Sequence, residues 1–334
     1  MKPLFRNIFL LFGIGAIIVM LCTFDDGWEQ IRQNIARAGL YLPAVIGTWI
    51  LVYACNALAF QTIVNTADHD KHLSFRHAYK LTVSGFAFSY TTPFGFGGGP
   101  YRVMELANFI GFPRAISSVT IYSMMHILSH FCLWTTALLL FVGFYIEKMT
   151  TLLWWLFGIY LVVLIIAIAL FAYSYRHGIV EKLYRVLLYV PFIKHRARRF
   201  LEANREAFTK IDSNIIYLGQ HPKVFWGSLA QEYIGRVINA FEFYFILHAF
   251  GLTQATFVDA ILVLGFSSLM GNLLFFLPMQ LGAREGGLAI IISILFGASG
   301  SIGIFTSFYT RIRELFWIFV GVGLVKIGNK RIMK

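Results

Sequence analysis

Phe276-Leu-Pro-Met-Gln-Leu-Gly-Ala-Arg-Glu-Gly-Gly287 interrupts two strongly apolar runs with a proline, three glycines and a charged pair, Arg284 and Glu285. A charge is costly at the depth of a bilayer, and non-helical backbone survives there only where it lines protein or a water-filled cavity. The segment therefore predicts a broken helix inside a membrane protein, with a candidate site for a polar ligand at the break.

A second segment repeats this pattern. Thr92-Pro-Phe-Gly-Phe-Gly-Gly-Gly-Pro-Tyr-Arg-Val-Met-Glu105 again places a proline and glycines ahead of an arginine and a glutamate. The residues expected to break the backbone in the two segments are Pro93, Gly97, Gly98, Gly99, Pro278, Gly282 and Gly286. Two such breaks in one chain suggest a duplicated, transporter-like architecture.

The composition places the chain in a membrane. Hydrophobic residues make up 58% of the 334 residues and charged residues only 13%, and the mean hydropathy is +0.70. The apolar runs that are long enough to cross about 30 Å of hydrocarbon lie near 8–24, 42–64, 115–146, 151–175, 223–250 and 302–325. We expect an all-α integral membrane protein with six full spans.

Basic residues predict the topology. The strongly basic loop 176–222 belongs in the cytoplasm by the positive-inside rule, and we expect it to form amphipathic helices at an anionic membrane surface. Segment 81–112 then begins and ends inside, and segment 257–298 begins and ends outside. Both are predicted to be re-entrant helical hairpins, entered from opposite faces, in a multi-pass protein of the cytoplasmic membrane with both termini in the cytoplasm.

This order of elements predicts an inverted repeat. Residues 1–334 would form one transmembrane domain, with a first repeat at 1–146 and a second at 147–334. Inverted repeats whose broken helices meet near the midplane are typical of secondary transporters. The alternative is a coincidence between two glycine-rich kinks, because glycine and proline are common in membrane helices.

Charged residues within the apolar segments are the candidate ligand site. Arginine stays charged when buried, and its planar fork suits phosphate. The residues expected to contact an anionic lipid headgroup are Arg102, Glu105, Arg236, Arg284, Glu285, Arg311, Arg313 and Glu314. We expect Arg284 and Glu285 to lie beside the charged groups of the last span. The alternative is that arginine–glutamate pairs only fasten the hairpins to the bundle.

Two histidines lie four residues apart on one predicted helix face. His126 and His130, together with Glu232, could couple proton movement to transport, or the histidines could form a hydrogen-bonded structural pair. Their spacing can hold a metal, but no third ligand pattern is visible, so we expect no metal and no cofactor. The chain also lacks a P-loop, a GxSxG elbow and an HExxH helix, which argues against an ATP-driven pump or a common hydrolase.

The two break segments resemble the transmembrane-region family of lysylphosphatidylglycerol synthases, also called flippase-like membrane proteins. Leu281-Gly-Ala-Arg-Glu-Gly286 matches the core of the family's second motif, Pro278 is in place, and Met279 and Gln280 stand where glycines are usual. Gly99-Pro-Tyr-Arg-Val-Met-Glu105 and Gly111-Phe-Pro-Arg-Ala115 resemble the proline- and glycine-rich first half.

The resemblance implies a role in handling phospholipids or polyprenyl-linked lipids across the bilayer. Bifunctional relatives add an aminoacyl-transferase domain, whereas this sequence ends at Lys334, just past the last span, so we expect lipid movement rather than aminoacyl transfer. The alternatives are a membrane enzyme or accessory subunit acting on polyprenyl-phosphate lipids, and a scaffold in envelope synthesis. We expect anionic membrane lipids as partners and no nucleic acid, and a homo-oligomer stays open.

Overall fold

The computed structural model describes residues 39–66, 72–92, 97–177, 198, 205–273, 283–298 and 300–326. In this part of the chain the protein is helical and contains no β-strand. The predicted all-α class is therefore confirmed for the described ranges. The predicted first span at 8–24 and the break residues Pro93, Pro278 and Gly282 lie outside them.

Ten α-helices follow one another along the described chain. The first four are α1 (Tyr41–Thr66), α2 (Phe75–Thr91), α3 (Gly98–Ile110) and α4 (Phe112–Phe144). A short 3-10 helix at Ile146–Lys148 leads into α5 (Thr151–His177) and α6 (Arg205–Gly219). The last four are α7 (Pro222–Ala249), α8 (Phe257–Leu273), α9 (Ala283–Phe296) and α10 (Gly300–Lys326).

Three of these helices are long and apolar enough to cross a membrane by themselves: α1, α4 and the part of α5 that ends at Tyr173. Helices α7 and α10 are comparably long, at 28 and 27 residues. They differ from the three apolar helices because each carries charged residues in its middle. A charged residue at that depth is costly in lipid, so it must be buried inside protein. The structure therefore supports part of the predicted set of six spans.

Both break segments separate two short helices that pack against each other. Helix α2 contacts α3, and α8 contacts α9. Helices α2 and α8 have 17 residues each, or roughly 25 Å at about 1.5 Å per residue, so neither spans about 30 Å of hydrocarbon without tilting or local thinning of the bilayer. The first helix begins at Phe75, earlier than the predicted 81, because Lys80 lies buried within α2 instead of in a cytoplasmic loop.

The helix contacts follow a two-fold pattern when α1, α2, α3 and α4 are exchanged with α7, α8, α9 and α10. Contacts α1–α2, α2–α3, α3–α4 and α1–α4 correspond to α7–α8, α8–α9, α9–α10 and α7–α10. Across the halves, α2–α10 corresponds to α4–α8, α4–α7 corresponds to α1–α10, and α1 packs on α7. A glycine with positive φ turns both the α3–α4 corner, at Gly111, and the α9–α10 corner, at Gly297.

The basic loop contains a helix that packs on the bundle. Helix α6 contacts α4, α5 and α7, and it buries Phe208, Ile211 and Ile215, which recur at the spacing of one helix face. The predicted amphipathic helix is thus found at 205–219. Apart from Arg198, residues 178–204 lie outside the described ranges.

Close helix crossings at glycine hold the two halves together. A Cβ atom on Gly321 of α10 would come within 2.6 Å of the Ala87 Cβ and 2.8 Å of the Val83 carbonyl oxygen on α2. At the same crossing, the Ser84 hydroxyl donates a hydrogen bond to the Gly321 carbonyl over 3.0 Å. The α2–α10 contact therefore depends on the absence of a side chain at this position.

We predict that Gly321→Ala lowers the thermal unfolding midpoint of the detergent-purified protein, at a cost of about 1–3 kcal/mol, because α2 and α10 must separate. Gly323→Ala on the same helix is the matched control, since a Cβ there meets no atom within 4 Å. Equal midpoints for the two variants would contradict the packing role of Gly321.

Candidate functional site

Buried and half-buried charges gather in two clusters, each of which includes residues from both halves of the molecule. The α9–α10 cluster contains Arg284, Glu285, Arg311, Arg313 and Glu314, joined by Glu242 of α7 and Trp49 of α1. The α3–α4–α7 cluster contains Arg102, Tyr122, His126, Ser129, Glu232 and Arg236. Tyr90, near the end of α2, lies within electrostatic range of Arg236 and of Arg284, so it stands between the two clusters.

In the α9–α10 cluster, the break places Arg284 and Glu285 in the first turn of α9, where both reach α10. Arg284 Nη1 donates to a carboxylate oxygen of Glu314. Arg311 donates to Glu285 Oε1 through Nη2 at 2.7 Å and Nε at 3.1 Å, and the Ser307 hydroxyl donates to the same oxygen at 2.8 Å. The prediction that Arg284 and Glu285 lie beside charged groups of the last helix is confirmed.

The third arginine of this cluster joins α10 to α7 of the same half and to α1 of the other half. Arg313 forms two hydrogen bonds to Glu242, with Nε at 3.0 Å from Oε1 and Nη2 at 3.3 Å from Oε2. Trp49 donates its indole N–H to Glu242 Oε2 at 2.7 Å, and the Arg313 guanidinium lies over the Trp49 ring, 3.9 Å from its centroid. Three arginines and three glutamates thus compensate one another.

The α3–α4–α7 cluster differs because its arginines contact neutral oxygen atoms. Arg236 donates through Nε to the Ser129 hydroxyl at 2.6 Å and through Nη2 to the His126 carbonyl at 3.0 Å. Arg102 donates weakly to the Thr82 carbonyl at 3.4 Å and lies over the Tyr122 ring, with Cζ 5.1 Å from the centroid. Within the described ranges, neither arginine forms an ion pair with a carboxylate.

One carboxylate, Glu232, belongs to this second cluster. It is 1% exposed. Its Oε2 forms a hydrogen bond with His126 Nδ1 over 2.7 Å. Three buried polar atoms of this cluster make no hydrogen bond of normal geometry among the described residues: Glu232 Oε1, the Tyr122 hydroxyl and Arg102 Nε. The Tyr122 hydroxyl lies close enough to the Glu232 carboxylate for the two groups to interact. Buried polar atoms are nearly always hydrogen-bonded in proteins, so these atoms could form hydrogen bonds to a polar ligand.

The histidines occupy the same helix face, as their spacing predicts. The rings of His126 and His130 meet edge to face, with centroids 5.4 Å apart, and His130 Nδ1 lies 3.1 Å from the Ser268 hydroxyl of α8. In the described part of the chain, no group of three or more His, Cys, Asp or Glu side chains could hold a metal ion. The histidine face is therefore a hydrogen-bonded surface between α4, α7 and α8.

The two other buried acidic residues serve local structure. Glu105, one helical turn after Arg102, lies within electrostatic range of the buried Lys80 of α2. Asp259 accepts hydrogen bonds from the backbone N–H and hydroxyl of Thr256 at the start of α8, and from the Tyr145 phenol. Burial and the bond to Asp259 raise the pKa of Tyr145 to about 12, so the phenol remains a donor.

The break glycines fall into two groups. Gly97 and Gly98 are required for close approach, because a Cβ at Gly98 would lie 2.3 Å from the Gly85 carbonyl oxygen and one at Gly97 would lie 2.7 Å from the Phe88 carbonyl oxygen. Gly99 and Gly286 have open space around them. For these two residues, the predicted need for glycine at the break has no steric basis within 4 Å.

The site contains residues that the sequence did not single out. Tyr122 and Ser129 lie on the same face of α4 as His126, at spacings of four and three residues, so that spacing was the available signal. Trp49 had no such signal, because its apolar surroundings in α1 gave no indication of a carboxylate partner on α7.

The helical fold, the apolar helices and the buried charges define a membrane-embedded protein. A family model described as the lysylphosphatidylglycerol synthase transmembrane region matches residues 8–323, and the chain belongs to that family. Membership connects the protein with lipid metabolism or transport in membranes. Comparisons with curated proteins and with solved structures found no match.

We predict that Glu242→Gln destabilises the protein by about 3–5 kcal/mol, because it leaves the Arg313 charge buried without its carboxylate. The measurement is thermal unfolding in detergent, with Glu147→Gln as the control because Glu147 is exposed. Adding Arg313→Met to Glu242→Gln should recover much of the loss. A single variant as stable as the wild type would contradict the staple role of this pair.

Proposed function

We propose that this protein is a lipid translocase of the cytoplasmic membrane that moves an anionic lipid with a phosphate ester headgroup between leaflets. A phospholipid, a modified phospholipid and a polyprenyl-linked lipid share that chemistry. The proposal places the phosphate in the α3–α4–α7 cluster, between Arg102 and Arg236. Family membership supports the role in lipid handling, and the charge distribution supports the choice of cluster.

The contrast between the two clusters carries the proposal. Arg284, Arg311 and Arg313 already have carboxylate partners, so an anion binding there must displace one of them. Arg102 and Arg236 contact neutral oxygens. Glu232 lies near Arg236, and Glu105 lies near Lys80, so the basic groups of this region outnumber its carboxylates. A buried cation without a counterion is costly, and a phosphate headgroup would supply that counterion.

The unpartnered atoms give the site its hydrogen-bonding pattern. Arg102 Nε can donate to a phosphate oxygen, and the Tyr122 hydroxyl can donate to a second one. Gly85 lets the guanidinium lie close to α2, since a Cβ on Gly85 would come within 2.5 Å of Arg102 Nε. The Arg102 guanidinium is thereby held against α2, with Cζ 5.1 Å from the centroid of the Tyr122 ring.

The proposal includes an inverted-repeat topology. Helices α2–α3 and α8–α9 would be re-entrant hairpins entered from the cytoplasm and from the outside, respectively, with both termini in the cytoplasm. The two-fold exchange of helix contacts, the equal lengths of α2 and α8 and the matching glycine corners support this arrangement. Tyr90, between the clusters, would then lie where the two hairpin tips meet.

In this scheme the α9–α10 cluster holds the second hairpin in place. Its paired charges fix α9 to α10 and α10 to α7, which provides a rigid frame against which the first half can move. The role first predicted for Arg284 and its neighbours, direct headgroup binding, becomes the staple role that the same sequence pattern also allowed.

We predict that Arg102→Lys slows lipid movement about 10- to 100-fold, because lysine keeps the charge but loses the fork, and a hydrogen bond to a charged group contributes about 1.5–3 kcal/mol. The assay follows tail-labelled phosphatidylglycerol in one set of reconstituted vesicles and a labelled short-chain polyprenyl phosphate in another. Chemical quenching from outside reports the leaflet of the label.

Two comparisons sharpen this test. Arg284→Lys should slow transport less than Arg102→Lys does. Equal losses of rate would indicate that the α9–α10 cluster also binds the headgroup. Gly85→Ala should resemble Arg102→Lys because it displaces the guanidinium, whereas Gly143→Ala on α4 adds a methyl group in open space. Vesicles in which the wild type moves neither lipid faster than protein-free vesicles would refute the proposed function.

We also predict the sidedness of four positions. In a background without Cys22, Cys55 and Cys132, single cysteines at Arg114 and Arg198 should react with an impermeant maleimide only from the cytoplasmic side. Cysteines at Asp26 and Glu147 should react from the outside. Labelling of position 114 from the outside would refute the opposed hairpins. It would not affect the proposal that the headgroup binds in the α3–α4–α7 cluster.

A further inference from the structure

We infer that the His126–Glu232 pair binds one proton together with the anionic headgroup, so that lipid movement is coupled to proton movement. This inference rests on the proposed function, since it adds a second ligand to the same site. The class of ligand is a proton exchanged with water, and the lipid is a phosphate ester carrying one negative charge. The arrangement of His126 and the groups that face it carries the inference.

The pair itself has the geometry of a protonation site. His126 Nδ1 lies 2.7 Å from Glu232 Oε2, and the side chain of Glu232 is 1% exposed while that of His126 is 27% exposed. A buried carboxylate thus shares a hydrogen bond with an imidazole that reaches the molecular surface. Glu232 Oε1 has no partner among the described residues, so the carboxylate can accept a proton on that side as well.

The charges around His126 make proton uptake depend on an anion. Arg236 of α7, Arg102 of α3 and Glu232 face His126, while Tyr122 and His130 flank it on α4. From α2, the neighbouring ring is that of Phe86. With two arginines and one carboxylate, the empty site is already positive, and a proton would add a further charge. A bound phosphate neutralises the excess positive charge, so a proton can then bind at a lower electrostatic cost.

His130 is the neighbouring titratable group on the α8 side of the pair. The His126 and His130 rings meet edge to face with centroids 5.4 Å apart, and His130 Nδ1 lies 3.1 Å from the Ser268 hydroxyl of α8. Trp134 donates its indole N–H to that hydroxyl at 3.2 Å. In this scheme His130 passes the proton between the pair and water on the α8 side.

Coupling of this kind is reciprocal. If the anion raises the affinity for a proton by some factor, the proton raises the affinity for the anion by the same factor. Movement of one proton with one singly charged lipid transfers no net charge. The transport should therefore respond to a pH gradient and not to a membrane potential.

The test uses the full chain in phosphatidylcholine vesicles with a trace of tail-labelled phosphatidylglycerol and a pH one unit lower inside than outside. Protons leaving the vesicle should carry the labelled lipid to the outer leaflet, with an enrichment of up to about tenfold for one proton per lipid. Dissipating the pH gradient with nigericin should restore equal distribution. Adding valinomycin and potassium at unchanged pH gradient should leave the enrichment as it was.

Variants separate coupling from transport. His126→Gln and Glu232→Gln keep hydrogen-bonding groups but remove the titrating pair, so the label should cross the bilayer more slowly than with the wild type and end equally distributed. His130→Gln should slow the approach to the enriched state without changing its final ratio. His248→Gln is the control, because His248 lies on α7 and its ring contacts the Tyr244 carbonyl of its own helix.

The outcomes distinguish the two proposals. If wild-type protein moves the label but leaves it equally distributed under the pH gradient, the coupling is refuted and the translocase proposal stands. Wild-type vesicles that match protein-free vesicles, both for phosphatidylglycerol here and for the polyprenyl phosphate of the transport assay, refute the translocase proposal itself. Enrichment that persists in folded His126→Gln and Glu232→Gln protein, as judged by gel filtration, assigns the proton to another group and overturns this inference. The wild-type gradient experiment decides the question even where a variant does not fold.

Discussion

The cost of a charge in a low-dielectric interior is the constraint on which this structure depends. Each arginine in the core must find oxygen atoms, and each glutamate must find donors. Helix α10 satisfies this requirement in two directions: it pairs with α9 through Arg311 and Glu285, and with α7 through Arg313 and Glu242. A helix that would be unstable alone in hydrocarbon thereby becomes a fixed part of the bundle. The buried pairs do more than stabilise, because they give each arginine of α9 and α10 a carboxylate partner.

The two halves share a helix arrangement, whereas the two charge clusters differ in their partners. Contacts made by α1 to α4 recur in α7 to α10, and the helix pairs α2–α3 and α8–α9 are matched in length. The arginines of α9 and α10 are neutralised by glutamates. Arg102 of α3 and Arg236 of α7 are held by carbonyls, a hydroxyl and an aromatic face. In the proposed translocase, the α9–α10 cluster would be rigid, and the charge balance of the α3–α4–α7 cluster would change with its ligand.

Sequence reasoning reached the parts of this structure that local composition controls. Proline and glycine predicted where the helices are interrupted, and the length of the apolar runs predicted the long helices. The similar expected depth of Arg284 and the charges of the last span predicted that Arg284 lies beside α10. Sequence reasoning did not predict which charged residues pair with each other. The packing of α7 against α10 decides whether the main partner of Arg313 is Glu242 or Glu314. Trp49 of α1 also bonds Glu242, across a separation of 193 residues in sequence. The start of α2 differs from the predicted 81 for a related reason. Lys71, Arg76 and Lys80 together indicate a cytoplasmic segment in the sequence, whereas Lys80 is buried within α2 near Glu105.

The same limit explains why counting arginines does not locate a ligand site. Before the partners were known, each of the five arginines predicted within the membrane was an equal candidate. Once three have carboxylates, the excess charge falls on the α3–α4–α7 cluster, where Glu232 is the nearby carboxylate and is already shared with His126. In the proposed coupling, an anion and a proton have a common reason to bind there. The bound anion would neutralise the excess positive charge, and the neutralised site would let the histidine–carboxylate pair accept a proton, so one electrostatic imbalance would account for both proposed ligands.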